Sequence, residues 1–154
     1  MKNTILGLLL AATSLWAQGF CSNATLRGDY GFTVTGTRPS APGGPLETIV
    51  GVALTTFDGD GNLTQTDNIH GSISGFPSPD RAGTGTYSIN ADCSGTMTLD
   101  NTGAPPLTLR IVVVDNGNEV RTAVVSPLAV MVTSNGRRVR TGFLFGFSRR
   151  TAAE

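Results

Sequence analysis

Side chains suited to acid–base catalysis are scarce in this sequence, which holds a single histidine, His70. Histidine titrates nearest neutrality, so it is a common general base and metal ligand. His70 shares its side of the run 64–72 with threonines, asparagine and serine, opposite Ile69. No Gly-x-Ser-x-Gly motif supplies an activated serine. We therefore predict that His70 is a surface residue and that the chain has no catalytic triad.

The run 58–62, Asp-Gly-Asp-Gly-Asn, is rich in the oxygen ligands that Ca²⁺ prefers. A helix–loop–helix calcium site would have glycine after Asn62 and a bidentate glutamate at the twelfth position. Leu63 and Ile69 stand there instead. Since Asp, Gly and Asn each favour turn conformations, the run predicts a tight turn. The sequence predicts no metal site and no cofactor.

Asp67 and Gln65 remain as polar side chains that could act inside the protein, because both share the alternation of Ile69 and should point inward. A buried carboxylate is costly unless it is paired. Arg110 or Arg27 could provide the pair. The alternative is that Gln65 and Asp67 lie near an open, wet end of a barrel.

Two cysteines, Cys21 and Cys93, are the only ones in the chain. Residues 1–17 have a lysine near the start, an apolar stretch at 5–15 and a small residue at the end, which predicts a secretory signal peptide. Residues 18–154 then form the mature domain, with no transmembrane segment, in a secreted or periplasmic location. In such a compartment the two cysteines are expected to form a disulfide bond.

Segments with strict apolar/polar alternation follow one another, and no convincing helical pattern interrupts them. About eight strands in simple order predict an all-β, single antiparallel up-and-down barrel, with a β-sandwich as the alternative. The predicted strands are Asp29–Thr37, Glu47–Phe57, Leu63–Ser74, Gly83–Ile89, Ser94–Leu99 and three within Leu107–Ser148.

The last three strands are predicted from two Asn-Gly pairs, which favour tight hairpin turns. Asn116-Gly117 would pair Val113 with Val120, and Asn135-Gly136 would pair Val132 with Val139. Pro127 falls inside the middle strand, where it cannot donate to a ladder, so a bulge or sharp bend is expected there.

The alternation also gives an inward set, which either fills the barrel or lines a cavity for one small apolar ligand. Four inward glycines, Gly51, Gly71, Gly85 and Gly95, keep the cavity alternative open. The predicted inward residues are Tyr30, Phe32, Val34, Tyr87, Ile89, Met97, Leu99, Leu109, Ile111, Val113, Val120, Val124, Leu128, Val130, Val139, Phe143, Phe145 and Phe147. From these and the polar pair, the predicted ligand-binding residues are Tyr30, Phe32, Gln65, Asp67, Tyr87, Phe143 and Phe145.

Charge is nearly balanced, since residues 18–154 hold ten arginines against eleven acids. This balance excludes a generally basic nucleic-acid-binding protein. Five arginines fall within 136–154, where they could contact an acidic surface or keep a sheet edge soluble. The sequence leaves the oligomeric state open.

Spaced cysteine, glycine and aromatic residues form one pattern along the chain, which consists of Cys21-x4-Leu26-x-Gly28-x-Tyr30-Gly31-Phe32, Phe57-Asp58-Gly59-x-Gly61-x-Leu63, Gly85-Thr86-Tyr87 and Asp92-Cys93-Ser94-Gly95-Thr96. In this pattern the chain resembles a group of small exported bacterial proteins without an assigned activity, so no functional residues are implied. Gly28-x-Tyr30 is more loosely similar to the Gly-x-Trp start of lipocalins, and the barrel resembles lipocalin-like and allene oxide cyclase-like folds.

Three functions are compatible with these patterns. The first, a non-enzymatic binding or surface-interaction module for a small apolar ligand, is favoured because the interior is apolar and no catalytic constellation is present. The second is a cyclase or isomerase in which Tyr87, Tyr30 or Asp67 supplies the polar group of an apolar barrel. The third is a structural envelope protein that assembles through its Arg-rich C-terminal strand.

Overall fold

The computed structural model describes residues 20–140, which form a closed barrel of eight antiparallel strands. Each strand pairs with the next in the sequence, and the last pairs with the first, so no edge is left. The barrel, and not the sandwich, is therefore correct. The strands are β1 (Arg27–Pro39), β2 (Leu46–Asp58), β3 (Asn62–Gly71), β4 (Arg81–Ile89), β5 (Ser94–Asn101), β6 (Leu107–Val114), β7 (Glu119–Ser126) and β8 (Met131–Arg138).

Burial alternates along most of these strands, as the sequence predicts for a barrel with one face inside. Leucine, isoleucine and aromatic side chains alternate inward with threonines and charged residues outward. The inward residues confirmed as buried are Tyr30, Phe32, Tyr87, Ile89, Met97, Leu99, Leu109, Ile111, Val113 and Val120, and Val34 and Val124 pack against them partly buried.

The up-and-down order places the connections at two ends of the barrel. Loops 40–45, 72–80, 102–106 and 127–130 gather at one end, which we call the mouth. The three remaining turns lie at the other end, together with the short 3-10 helix Asn23–Thr25 that precedes β1. We call this the closed end, because side chains fill it.

Aromatic rings pack the closed end. Phe57 lies between Tyr30 and Tyr87, with ring centroids 5.3 and 5.0 Å apart and edge-to-face geometry. The Tyr87 hydroxyl donates to the carbonyl of Leu26 at 2.9 Å and accepts from the N–H of Gly59 at 3.0 Å. Burial raises the pKa of Tyr87. These contacts fix the segment before β1 against the barrel.

The Tyr30 hydroxyl is satisfied in the same way. It donates to the carbonyl of Gly117 and accepts from Nη2 of Arg138 at 2.9 Å.

The predicted disulfide is present, and it joins Cys21 to Cys93 with their Cα atoms 5.0 Å apart. Closing a loop of 72 residues in sequence contributes about 4 kcal/mol in the chain-entropy model.

The hairpin at Asn116-Gly117 is confirmed. Both residues have positive φ, 52° and 80°, and the register pairs Val113 with Val120 as the turn predicts. Glycine is required at 117 because a β-carbon there would overlap the carbonyl of Thr25. The chain in this region therefore follows its local turn signal.

The predicted hairpin at Asn135-Gly136 is wrong, because both residues lie inside β8 and pair with β1. The chain turns earlier, at Pro127, where the sequence predicts a bend. Gly136 is required for packing and not for a turn, because the ring of Phe32 occupies the space that a β-carbon at 136 would take.

This earlier turn corrects the inward set. Leu128 lies in the loop after β7 and is 90% exposed, and Val139 follows β8 and is 48% exposed. Val130 keeps its predicted orientation, and both Val130 and Val132 line the interior. The predictions for Phe143, Phe145 and Phe147 fall outside the described residues.

Candidate functional site

A cavity of about 520 Å³ opens at the mouth of the barrel. This volume lies within the range of roughly 300–1,000 Å³ typical of small-molecule sites. Inward side chains from seven of the strands form an apolar wall, which the mouth loops extend outward. The apolar wall residues are Phe32, Val34, Ile49, Ile69, Met97, Leu99, Leu107, Leu109, Val124, Val130 and Val132.

One side of the cavity is polar and centres on Asp67, which is 3% exposed. Arg81, on the neighbouring strand, donates to both Asp67 oxygens, from Nε at 2.9 Å and from Nη2 at 2.8 Å. Such a bidentate pair holds the guanidinium in one orientation. The partner predicted for Asp67, Arg110 or Arg27, is therefore wrong. The pair neutralises both charges at the cavity wall.

Gln65 extends this polar side. Its Nε2 donates to Asp67 at 3.3 Å, and its Oε1 accepts from the hydroxyl of Thr55 at 3.0 Å. On the opposite side, the hydroxyls of Thr122 and Ser134 lie 2.7 Å apart and satisfy each other. Hydrogen bonds within the protein thus satisfy much of the polarity of the wall.

Asn101, the last residue of β5, differs from its neighbours. Its side chain is buried and lines the cavity, yet its Oδ1 has no hydrogen-bond partner among the described residues. The side chain packs against Gly83, its partner on β4, where a β-carbon would overlap Oδ1. Leaving a buried acceptor without a partner costs about 1–3 kcal/mol.

A second buried carboxylate, Glu47, stabilises the rim. It accepts from Arg38 Nε at 3.0 Å, from the Ser74 N–H at 2.8 Å and from the Ile73 N–H at 3.2 Å. The Ser74 N–H, with help from the Ser74 hydroxyl, Arg38 and Ile73, lowers the pKa of Glu47 to about 2 against the effect of burial. Because this carboxylate stays ionised at ordinary pH, it holds loop 72–80 against the start of β2.

The structure brings together only part of the predicted ligand-binding set. Phe32, Gln65 and Asp67 line the cavity. Tyr30 and Tyr87 lie at the closed end, where their hydroxyls are engaged with the backbone. Phe143 and Phe145 fall outside the described residues.

Sequence reasoning missed two residues of the polar side, Arg81 and Asn101. Each shares the alternation of buried neighbours on its own strand, Tyr87 and Leu99 respectively. Extending the predicted strands by two residues at the mouth would have included both of them.

The other predicted features are structural. His70 is exposed on β3, as expected. Asp58 closes the run 58–62 as a tight turn, because its Oδ1 accepts from the N–H groups of Asp60, Gly61 and Asn62. Hydrogen bonds from the Asn62 side chain and backbone, then from Asp60 and Gly61, lower the pKa of Asp58 to about 2.

The four inward glycines, which led us to consider a cavity, do not line the cavity that the structure shows. None of Gly51, Gly71, Gly85 and Gly95 lies in the described cavity wall. At Gly71 the free space is taken by the carboxylate of Glu47. Within residues 20–140 no cluster of three metal-binding side chains occurs, and no helix there has the length and apolarity needed to cross a bilayer.

Comparisons with known proteins identify no family for this chain. No family model matches the chain, and no curated protein matches it. Among solved structures, a redesigned β-barrel matches with 13% identity and a TM-score of 0.49, over 77% of this chain and 95% of that one. The similarity to small exported bacterial proteins therefore stays a prediction.

Proposed function

We propose that the protein binds one small, largely apolar molecule in the cavity at the mouth and performs no catalysis. The observation that carries this proposal is the cavity itself, about 520 Å³, with apolar side chains on most of its wall and a polar cluster around Asp67. A barrel folded only for stability would fill this space, because interiors pack at crystal-like density.

The polar cluster around Asp67 indicates how the ligand is oriented in the cavity. Asp67 and Arg81 cancel each other's charge, so a charged ligand group would find no uncompensated partner there. Asn101 adds a carboxamide side chain to this part of the wall. A neutral polar group, such as a hydroxyl, suits this side, and an apolar body suits the wall formed by Leu99, Val124 and their neighbours.

The cyclase or isomerase alternative gains no support from the geometry. Tyr30 and Tyr87 lie away from the cavity, and their hydroxyls bind backbone groups at the closed end. Both oxygens of Asp67 already accept hydrogen bonds from Nε and Nη2 of Arg81, which hold the carboxylate in an ion pair. The envelope-assembly alternative depends on five arginines, two of which, Arg149 and Arg150, fall outside the described residues, and it stays a prediction.

We further propose that the protein is exported, with residues 1–17 as the signal peptide and 18–154 as the mature domain. The disulfide between Cys21 and Cys93 supports this location, because such bonds persist in oxidising compartments.

Native mass spectrometry of the protein purified from its own host tests the binding function. Wild-type protein should carry an extractable apolar molecule. Val124→Phe, which projects into the cavity, should lose it, and Val112→Phe, on the outer face of β6, should keep it. A ligand-free wild type that also binds no long-chain alcohol would contradict the proposal.

A further inference from the structure

Five of the twelve large apolar side chains that are exposed in the described structure lie at the mouth. Leu128 is 90% exposed, Met131 61%, and Leu46, Ile73 and Phe76 are each about half exposed. They come from three of the four hairpins that surround the cavity opening. Exposed apolar side chains grouped around one opening indicate a site of contact with another apolar surface.

The mouth loops also lack charge. Loops 40–45, 72–80, 102–106 and 127–130 hold a single charged residue, Asp80. The closed end differs, since Asp60, Asp92 and Asp115 lie in its turns and Arg138 lies beside it. The two ends of the barrel therefore differ, because the turns of the closed end carry several charges and the loops of the mouth carry one.

Proline distinguishes the same end. All eight prolines lie at or beside the mouth, at positions 39, 42, 45, 77, 79, 105, 106 and 127. Proline has no N–H, so a proline-rich loop leaves few donors unpaired when it leaves water. Unpaired backbone groups are what excludes irregular loops from lipid, so these loops suit shallow insertion.

We propose that the mouth docks end-on into the interfacial region of a lipid bilayer. Leu128, Phe76 and Met131 would insert, and the cavity opening would face the acyl chains. A protein partner would be expected to match charge, and these loops present almost none. The mouth loops hold no basic residue, and the two arginines beside them, Arg38 and Arg81, are paired with Glu47 and Asp67. Docking should therefore not need anionic lipid and should be insensitive to salt. That the bound molecule enters from the bilayer rests on the proposed ligand-binding function; the docking itself does not.

Flotation with phosphatidylcholine vesicles, with and without phosphatidylglycerol, tests the proposal. Wild type should float equally with both compositions at low and high salt. Leu128→Asp should reduce vesicle partitioning by about tenfold or more. Val52→Asp, at a wall position that is 56% exposed, is the matched control and should float as wild type does.

The outcomes separate the two proposals. Val124→Phe, with a blocked cavity, should still float, so loss of ligand alone does not affect docking. Failure of wild type to float would overturn the docking proposal and leave ligand binding standing. Flotation that requires phosphatidylglycerol and falls with salt would overturn it too. So would a concentration-dependent dimer that Leu128→Asp abolishes in the absence of vesicles, since the mouth would then bind a second copy.

Discussion

Replacing Asn101 by leucine should stabilise the ligand-free protein. Leucine branches at the same carbon as asparagine, its larger volume can extend into the cavity that Asn101 lines, and it needs no hydrogen bond. The change removes a buried acceptor that has no partner in the described structure, and such an orphan costs about 1–3 kcal/mol. We expect the free energy of unfolding to rise by about that amount.

Urea denaturation of the ligand-free protein measures the effect, with an unchanged m-value showing that the same surface unfolds. Asn23→Leu is the matched control, because the Asn23 Oδ1 accepts from the Ile89 N–H at 2.8 Å. That variant should lose about 1 kcal/mol, since it leaves a donor unpaired. A destabilised Asn101→Leu would refute the reasoning, because it would mean that Oδ1 has a partner worth more than the cost of its burial.

The same variant should behave oppositely in binding. If the polar cluster orients the ligand, Asn101→Leu should weaken the affinity for a long-chain alcohol by roughly three- to tenfold. If one substitution raises stability and lowers affinity, the original residue is present for binding and not for stability. Unchanged affinity would remove Asn101 from the ligand site.

Three further perturbations have defined outcomes. Arg81→Met should lower the free energy of unfolding by about 3–5 kcal/mol, because it leaves the buried Asp67 carboxylate without its partner. The double variant Arg81→Met with Asp67→Leu should recover most of that loss. Equal losses for the two variants in urea denaturation would contradict this prediction. The pKa of Glu47 is lowered from 4.5 to about 2, so its contribution to stability is complete above about pH 4.5 and is lost as the pH falls towards 2. In Glu47→Gln the melting temperature should therefore depend less on pH between these values. A slope equal to that of the wild type would contradict this prediction. Replacing Cys21 and Cys93 together by alanine should cost about 4 kcal/mol, and a loss below 1 kcal/mol would show that the closed end holds without the bond.

Alternation within single strands was enough to predict the barrel and most of its interior. It correctly predicted that Asp67 and Gln65 point inward, and the turn preference of Asn116-Gly117 correctly predicted one hairpin and its register. Such features depend on residues close together in the chain, so the sequence displays them directly.

Features that depend on distant residues were not predictable in this way. Asn135-Gly136 looks like a turn, but Phe32 of β1 packs on Gly136 and holds it in an extended strand. The partner of Asp67 is Arg81, which lies just outside the strand predicted for its segment. Whether the interior is filled or hollow depends on side-chain volumes summed across all the strands, and no local pattern reports that sum.

Methyl NMR of the protein titrated with decanol tests the ligand-binding claim most directly. The inward methyl groups of Leu99, Val124 and Val132 line the cavity, and those of Val112 and Val125 face outward. Saturable shifts confined to the inward methyls, and absent in Val124→Phe, are predicted. Shifts spread over the outer wall, or none at all, would contradict the account.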